Sequence, residues 1–138
     1  MALGTANNVD HWSDILGLMM LQNGVDLANP AACSLQAEKE ICLGADALTF
    51  YTLFNKIDRV WDKTLPASTL VFAQGKLAFY FGPSWRAFEI KALNPQLNFK
   101  VRAVPQLPEG NLAWASFWVE GVVQQSEHQA EAWQFLQF

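Results

Sequence analysis

The chain has 138 residues, of which 51% are hydrophobic and 16% charged, and its formal net charge at pH 7 is −4. This composition provides the core of one folded domain and argues against a disordered chain. The nine Lys and Arg residues are scattered singly, whereas nucleic-acid binding needs a basic stripe, so no nucleic-acid partner is expected. No apolar run is long enough to cross a bilayer, and the start lacks the positive region of a signal peptide.

The first predicted helix follows residues 7–10, with Asp10 or Asn8 as its N-cap. Residues 23–24, Asn-Gly, are predicted to end it. Its apolar side chains recur at the spacing of one helical face, at Trp12, Ile15, Leu16 and Met19. Residues 25–42 have no clear hydrophobic period and are predicted to form a loop, with room for a short helical turn.

The two cysteines, Cys33 and Cys42, lie in this predicted loop. They do not form a CxxC motif, and a zinc site would need further ligands, so no metal is expected. Their spacing allows a small disulfide-closed loop in an oxidising compartment, worth about 2–3 kcal/mol by the loop-entropy model. Two free thiols are the alternative, and the residues alone leave both open.

Two further helices are predicted before residue 76. The first spans residues 44–57, with Asp46 in its first turn, where a carboxylate is favourable. The second spans residues 68–74 and is closed by Gly75. The apolar face predicted for the longer helix consists of Ala47, Phe50, Tyr51, Phe54 and Ile57.

The remainder predicts strands alternating with helices. Residues 77–81 form a short apolar, aromatic run between glycines, which is typical of a buried strand. A helix starting at Pro83 and ending at Leu93 would lead to a second strand over residues 99–104, giving a right-handed parallel βαβ unit.

A third strand candidate covers residues 114–124. Ser126 and Gln129 form a predicted capping box for a last helix. The chain stops at Phe138 inside an apolar pattern, which we interpret as a truncated end. The predicted fold is therefore α/β, with a short, mostly parallel sheet flanked by helices.

No catalytic motif is evident. Residues 82–86 have the first glycine of a GxSxG elbow but not the second, Gly75–Lys76 lacks the remainder of a P-loop, and there is no GxGxxG. Only two histidines exist, His11 and His128. We predict that the chain is not an enzyme and needs no cofactor, and an α/β enzyme domain of unknown reaction stays as an alternative.

The turn after the predicted strand at residues 77–81 is the best candidate for a binding site, because ligands of open α/β sheets sit beyond the carboxyl ends of the strands. Gly82 allows close backbone approach, the following helix N-terminus offers free N–H groups, and Trp85 offers a flat apolar face with one donor. A sugar needs this mixture, whereas a core anchor is the competing interpretation of Trp85. Trp118 also falls where a crevice is predicted.

Several stretches, taken in order along nearly the whole chain, resemble consecutive elements of the bacterial extracellular solute-binding proteins, the maltose-binding-like receptors of ABC importers. The stretches are residues 4–9 (GTANNV), 13–16 (SDIL), 21–24 (LQNG), 47–51 (ALTFY), 72–79 (FAQGKLAF), 82–85 (GPSW), 94–95 (NP), 104–106 (VPQ) and 132–136 (AWQFL). No single stretch is diagnostic, and the specificity lies in their order.

The resemblance implies a two-lobed protein that closes over a solute and is read by a membrane permease. Residues 1–138 would form one truncated, periplasmic-binding-protein-like lobe, much of the second, in an extracytoplasmic protein. A lone lobe would also expose a surface that allows homodimerisation. The aromatic content favours a mono- or oligosaccharide, while peptides, polyols and a protein-interaction module are the alternatives.

By position, the resemblance places Trp85 at the family's sugar-stacking site, with Ser84 and Arg86 beside it. It also places the start of the first helix and the end of a strand at the cleft. The ligand-binding residues that it implies are Trp85, Ser84, Arg86, Trp118, Trp12, Asn8 and His11.

Overall fold

The structure is a computed structural model that describes residues 1–36, 38–108, 110–117 and 119–138. Its elements in chain order are α1 (Trp12–Gln22), β1 (Ser34–Gln36), β2 (Lys39–Ile41), α2 (Leu43–Lys56), α3 (Ser68–Ala73), α4 (Arg86–Leu93) and α5 (Gln129–Gln137). Helix α1 packs against α2, and α3 packs against α4. Within these ranges no helix has the length and apolar character that crossing a membrane would require.

All five predicted helices are present, but the start of α1 differs from the prediction. His11, in the left-handed region with φ of 59°, occupies the N-cap position, and its side chain makes no capping hydrogen bond. Asp10 is unavailable as a cap because its carboxylate accepts hydrogen bonds from the first turn of α3, including the Thr69 backbone N–H at 2.9 Å. The predicted cap of one helix therefore binds the start of another.

The starts of α4 and α5 also differ from the predictions. Helix α4 begins at Arg86, not at Pro83, and the Arg86 N–H donates to the Pro83 carbonyl at 3.0 Å in a turn that precedes the helix. The capping box before α5 does not form, because the Gln129 side-chain amide donates to the carbonyl of Gln124 at 2.6 Å. His128 occupies the N-cap position.

The predicted parallel sheet is not confirmed. In the ranges described, the sheet has two strands, β1 and β2, paired antiparallel with Ser34 opposite Ile41. This hairpin lies in the segment predicted to be a loop. Residues 77–81 and 99–104 have no strand pairing, nor does any described residue of 114–124.

Cys33 and Cys42 are joined in a disulfide directly beyond the ends of the hairpin. The structure thus selects the disulfide over two free thiols. Since both strands are mostly polar and mostly exposed, the covalent closure replaces the apolar face that usually stabilises a hairpin.

In the part of the chain that the structure describes, the core consists of two small clusters, and Ile15 of α1 packs against both. The first surrounds Trp61, which is almost fully buried, with Val9 and Leu77 among its neighbours. The second joins Leu16 of α1 to Tyr51 of α2. Burial raises the pKa of Tyr51 to about 12, and its hydroxyl donates to the Thr5 carbonyl at 2.7 Å.

The described residues after Phe99 lie mainly at the surface. The accessible surface of the chain is 10,546 Å², against about 7,200 Å² for a compact monomer of this mass. Helix α5 has no buried residue. One contact of this region is close: the ring of Trp114 lies against Gly17, where a Cβ would approach the ring to 2.5 Å.

Candidate functional site

Three of the residues predicted to bind ligand meet in a single cluster, formed by His11, Trp85 and Arg86. The Arg86 Nε–H donates to Nε2 of His11 at 3.0 Å. The His11 and Trp85 rings meet edge to face, with centroids 5.3 Å apart, and the Arg86 guanidinium lies 4.8 Å from the centroid of the Trp85 ring. The turn before α1 and the start of α4 therefore build the site together.

Acidic side chains hold this cluster from both sides. Nδ1 of His11 lies 3.2 Å from Oδ2 of Asp14, and Arg86 forms an ion pair with Glu89 one turn along α4. Because Nε2 of His11 accepts from Arg86, its proton belongs on Nδ1, where Asp14 accepts it. Trp114 donates its indole N–H to the other oxygen of Asp14 at 3.1 Å.

Asp10 connects the cluster to the start of α3. Its Oδ2 accepts from the hydroxyls of Thr69 at 2.6 Å and Ser68 at 3.1 Å. Burial alone would raise the pKa of Asp10, but hydrogen bonds from Thr69 and Ser68, aided by the charge of Arg86, hold that pKa below its ordinary value. Asp10 is therefore a carboxylate that fixes α3 relative to α1.

The hydrogen-bond chain continues from Thr69 to Tyr80. The two hydroxyl oxygens are 3.0 Å apart. Burial raises the pKa of Tyr80 despite the opposing hydrogen bond from Thr69 and the charge of Arg86, so the phenol stays protonated. Its hydroxyl is held in place and its ring is directed at the groove described next.

A groove of about 480 Å³ adjoins the cluster. Ser84 and Arg86 line it on one side, and residues 99–105 line it on the other. Its aromatic lining residues are Phe72, Phe79, Tyr80, Phe81 and Phe99. Size and lining are those of a small-molecule site, which is concave and mostly apolar with a few polar groups.

Residues 4–138 match the family model described as bacterial extracellular solute-binding protein. The chain belongs to this family. A search of the curated proteins and a search of the solved structures each found no significant match. The family resemblance stated from the sequence is thus confirmed. Membership supports extracellular solute binding for ABC transport, and proteins of this family are typically not enzymes.

The other predicted site residues of this solute-binding protein lie in different places. Ser84 is exposed at the groove, and Trp12, 38% exposed, is the first residue of α1 beside His11. Trp118 lies outside the described residues. Asn8 is only 9% exposed, so the structure places it in the interior and not at a cleft surface.

The hydrogen bonds of Asn8 explain its burial. Its amide nitrogen donates to the carbonyls of Asp62 and Leu65, each at 2.8 Å, and its oxygen accepts the indole N–H of Trp61 at 3.0 Å. A ligand would have to displace these core contacts. Asn8 therefore supports the fold beneath the site.

Sequence reasoning missed the residues that position the cluster. Asp14 had a local signal, since it lies three residues after His11, at the spacing of neighbours on a helix. Thr69 and Tyr80 had none, because their partners are distant in the chain. The same is true of Trp114, which lies 100 residues from its acceptor.

The hydrogen bonds of His11 differ from those of a histidine that activates a nucleophile. A histidine oriented by an aspartate is half of a nucleophile-activating triad, but here the free nitrogen of His11 accepts from Arg86 instead of facing a nucleophile. One group of metal-ligating residue types, Cys33, Glu40 and Cys42, lies together in the described residues. Both of its sulfurs are consumed in the disulfide.

Proposed function

We propose that this chain binds a carbohydrate at the cluster of His11, Trp85 and Arg86, on behalf of an ABC importer. The observation behind the proposal is the position of Trp85. Its indole is 45% exposed, yet it is held by the His11 ring and the Arg86 guanidinium. A core anchor would be covered, whereas a stacking platform must be both rigid and accessible.

The chemistry around Trp85 matches that of a sugar. The C–H face of a pyranose packs on an aromatic ring, and its rim of hydroxyls needs donors and acceptors in plane with it. Ser84 offers an exposed hydroxyl next to the ring, and Arg86 offers fixed guanidinium N–H groups. Trp12 adds a second partly exposed indole next to His11.

We infer that the chain forms one lobe of a two-lobed receptor, with its solute held between the lobes. The extended accessible surface and the uncovered helix α5 support this arrangement, since such apolar surface is usually buried by a neighbour. The disulfide supports an extracytoplasmic location, where thiols are oxidised. The membrane partner would be the permease of the importer.

A homodimer is the second candidate for covering that surface. Helix α5 exposes Trp133 and Phe135, and Phe138 follows it. Sedimentation velocity over a range of concentrations distinguishes the two arrangements. A concentration-dependent dimer that is lost in Phe135→Ser supports self-association, whereas a monomer at all concentrations supports a covering lobe.

The carbohydrate proposal is tested by isothermal titration with mono- and oligosaccharides, comparing the protein with Trp85→Ala. Trp133→Ala is the matched control, because Trp133 is 49% exposed but lies on α5, which does not pack against α1 or α4. Saturable binding that weakens about tenfold or more in Trp85→Ala alone is expected. If the folded protein binds no sugar, carbohydrate specificity is wrong, and peptides and polyols become the solutes to titrate.

A further inference from the structure

We propose that the groove beside the cluster recognises a carboxylated sugar, such as a chain of uronic acid units. This inference rests on the proposed function and narrows it from carbohydrates in general to anionic ones. Ser84 and Arg86 line the groove and also belong to the Trp85 turn. One oligosaccharide could therefore stack on Trp85 and continue into the groove.

The aromatic residues of the groove provide the apolar part of such a site. The ring of Phe72 lies 5.5 Å from that of Tyr80 and 5.7 Å from that of Phe99, centroid to centroid. Thr69 fixes the Tyr80 hydroxyl. Phe79 also lines the groove and is 67% exposed, so a flat aromatic surface is available to a sugar ring.

The charges of the groove decide which kind of sugar it fits. Arg86, Lys100 and Arg102 line it, and among the residues that the structure describes no Asp or Glu does. Glu89 already pairs with Arg86, whereas in the described ranges Lys100 and Arg102 form no ion pair. Two uncompensated cations in a protein of net charge −4 create a local field that attracts anions and disfavours cationic solutes.

Carboxylates suit these two side chains. A guanidinium binds a carboxylate through paired hydrogen bonds, and an ammonium binds it as a point charge. Neutral sugars would leave both cations without a charged partner. A polyanionic peptide would pair with the cations but would not stack on the aromatic surface as a sugar ring does. The test therefore includes such a peptide.

The test is isothermal titration of trigalacturonate, neutral galactotriose of the same linkage, and the peptide Glu-Glu-Glu. Trigalacturonate is expected to bind at least tenfold more tightly than galactotriose. In Lys100→Gln/Arg102→Gln this preference for trigalacturonate over galactotriose is expected to fall at least tenfold. Lys56→Gln/Lys63→Gln removes two exposed cations elsewhere and is expected to keep the preference.

Three results would overturn the inference: equal affinity for the acidic and neutral trisaccharides, an equal loss in the control variant, or equally tight binding of Glu-Glu-Glu. In any of these cases the proposed function still stands if galactotriose binds and its binding is weaker in Trp85→Ala. Absence of binding by both sugars overturns the inference, and the proposed function is then decided by the wider titration of mono- and oligosaccharides. Circular dichroism of each variant establishes that the comparison is between folded proteins.

Discussion

Arg86 donates its Nε–H to Nε2 of His11 across 3.0 Å, although the two residues are 75 positions apart in the chain. The bond joins the turn before α1 to the first residue of α4. It also sets the tautomer of His11 and holds the guanidinium over Trp85.

A double-mutant cycle with His11→Ala and Arg86→Gln measures this contact. We expect a coupling free energy of about 0.5–1.5 kcal/mol in urea unfolding, the usual net worth of a hydrogen bond. The pair His11→Ala and Lys63→Gln is the control, with coupling expected near zero. Coupling equally small in both cycles would contradict the contact.

Asp10→Asn should destabilise the protein by about 1–3 kcal/mol at pH 7, because three donors lose a charged acceptor. The folded pKa of Asp10 lies below its ordinary value of 3.8, so the ionised form stabilises the fold. That contribution is complete above pH 3.8 and is lost as the pH falls through the lower, folded pKa.

Urea unfolding of both proteins between pH 7 and pH 2 checks the expectation for Asp10. The difference in unfolding free energy should be largest at neutral pH and shrink below pH 3.8. The exposed Asp58→Asn is the control and should differ little from the parent throughout. A difference that grows on acidification would reverse the assigned sign.

Asn8→Ala should cost at least about 2 kcal/mol of stability, because it leaves the buried Trp61 indole N–H and the carbonyls of Asp62 and Leu65 without their partner. Carbohydrate affinity, measured by titration at a temperature where the variant is folded, should remain within about twofold. Asn7→Ala, at an exposed neighbouring position, is the control for stability. A large loss of affinity without a loss of stability would return Asn8 to the binding surface.

Reduction of the disulfide between Cys33 and Cys42 should lower the unfolding free energy by about 2–3 kcal/mol, since the closed loop is short. Denaturant unfolding with and without dithiothreitol measures this loss, and Cys33→Ser/Cys42→Ser should reproduce it without reductant. The double variant should also be insensitive to dithiothreitol. Equal stability of oxidised and reduced protein would show that the closed hairpin contributes nothing to the fold.

The helices could be predicted because their signals are local. The apolar stripe of α2 and the Asn-Gly that follows α1 act within a few residues, and the predicted bounds of α2 differ from the structure by one residue at each end. The start of α1 was predicted less well, because Asp10 is used by α3. Caps fail as predictors where a distant segment competes for the same carboxylate.

The strands could not be predicted in the same way. Residues 77–81 have the composition of a buried strand, but a strand needs a partner, and no local pattern specifies one. Of this run only Leu77 is buried. The hairpin of β1 and β2 was missed for the opposite reason, because its strands are polar and have no apolar alternation.

The candidate site was predicted in part. His11, Trp85 and Arg86 were each named from turn chemistry or position, and the structure brings them together. Asp14 had only the local signal of its spacing from His11, and Thr69 could not be assigned from the sequence, because its contact with Asp10 depends on how the turn before α1 packs against α3.

The separation of His11 and Arg86 has a consequence for how the chain reaches its native state. Contacts between distant residues require closure of long loops, which is slow compared with helix formation. The helical circular dichroism signal should therefore recover early in refolding, and the environment of Trp85 should become native only in the final phase. A chain that has all its helices would still lack the assembled cluster of His11, Trp85 and Arg86 until that last closure occurs.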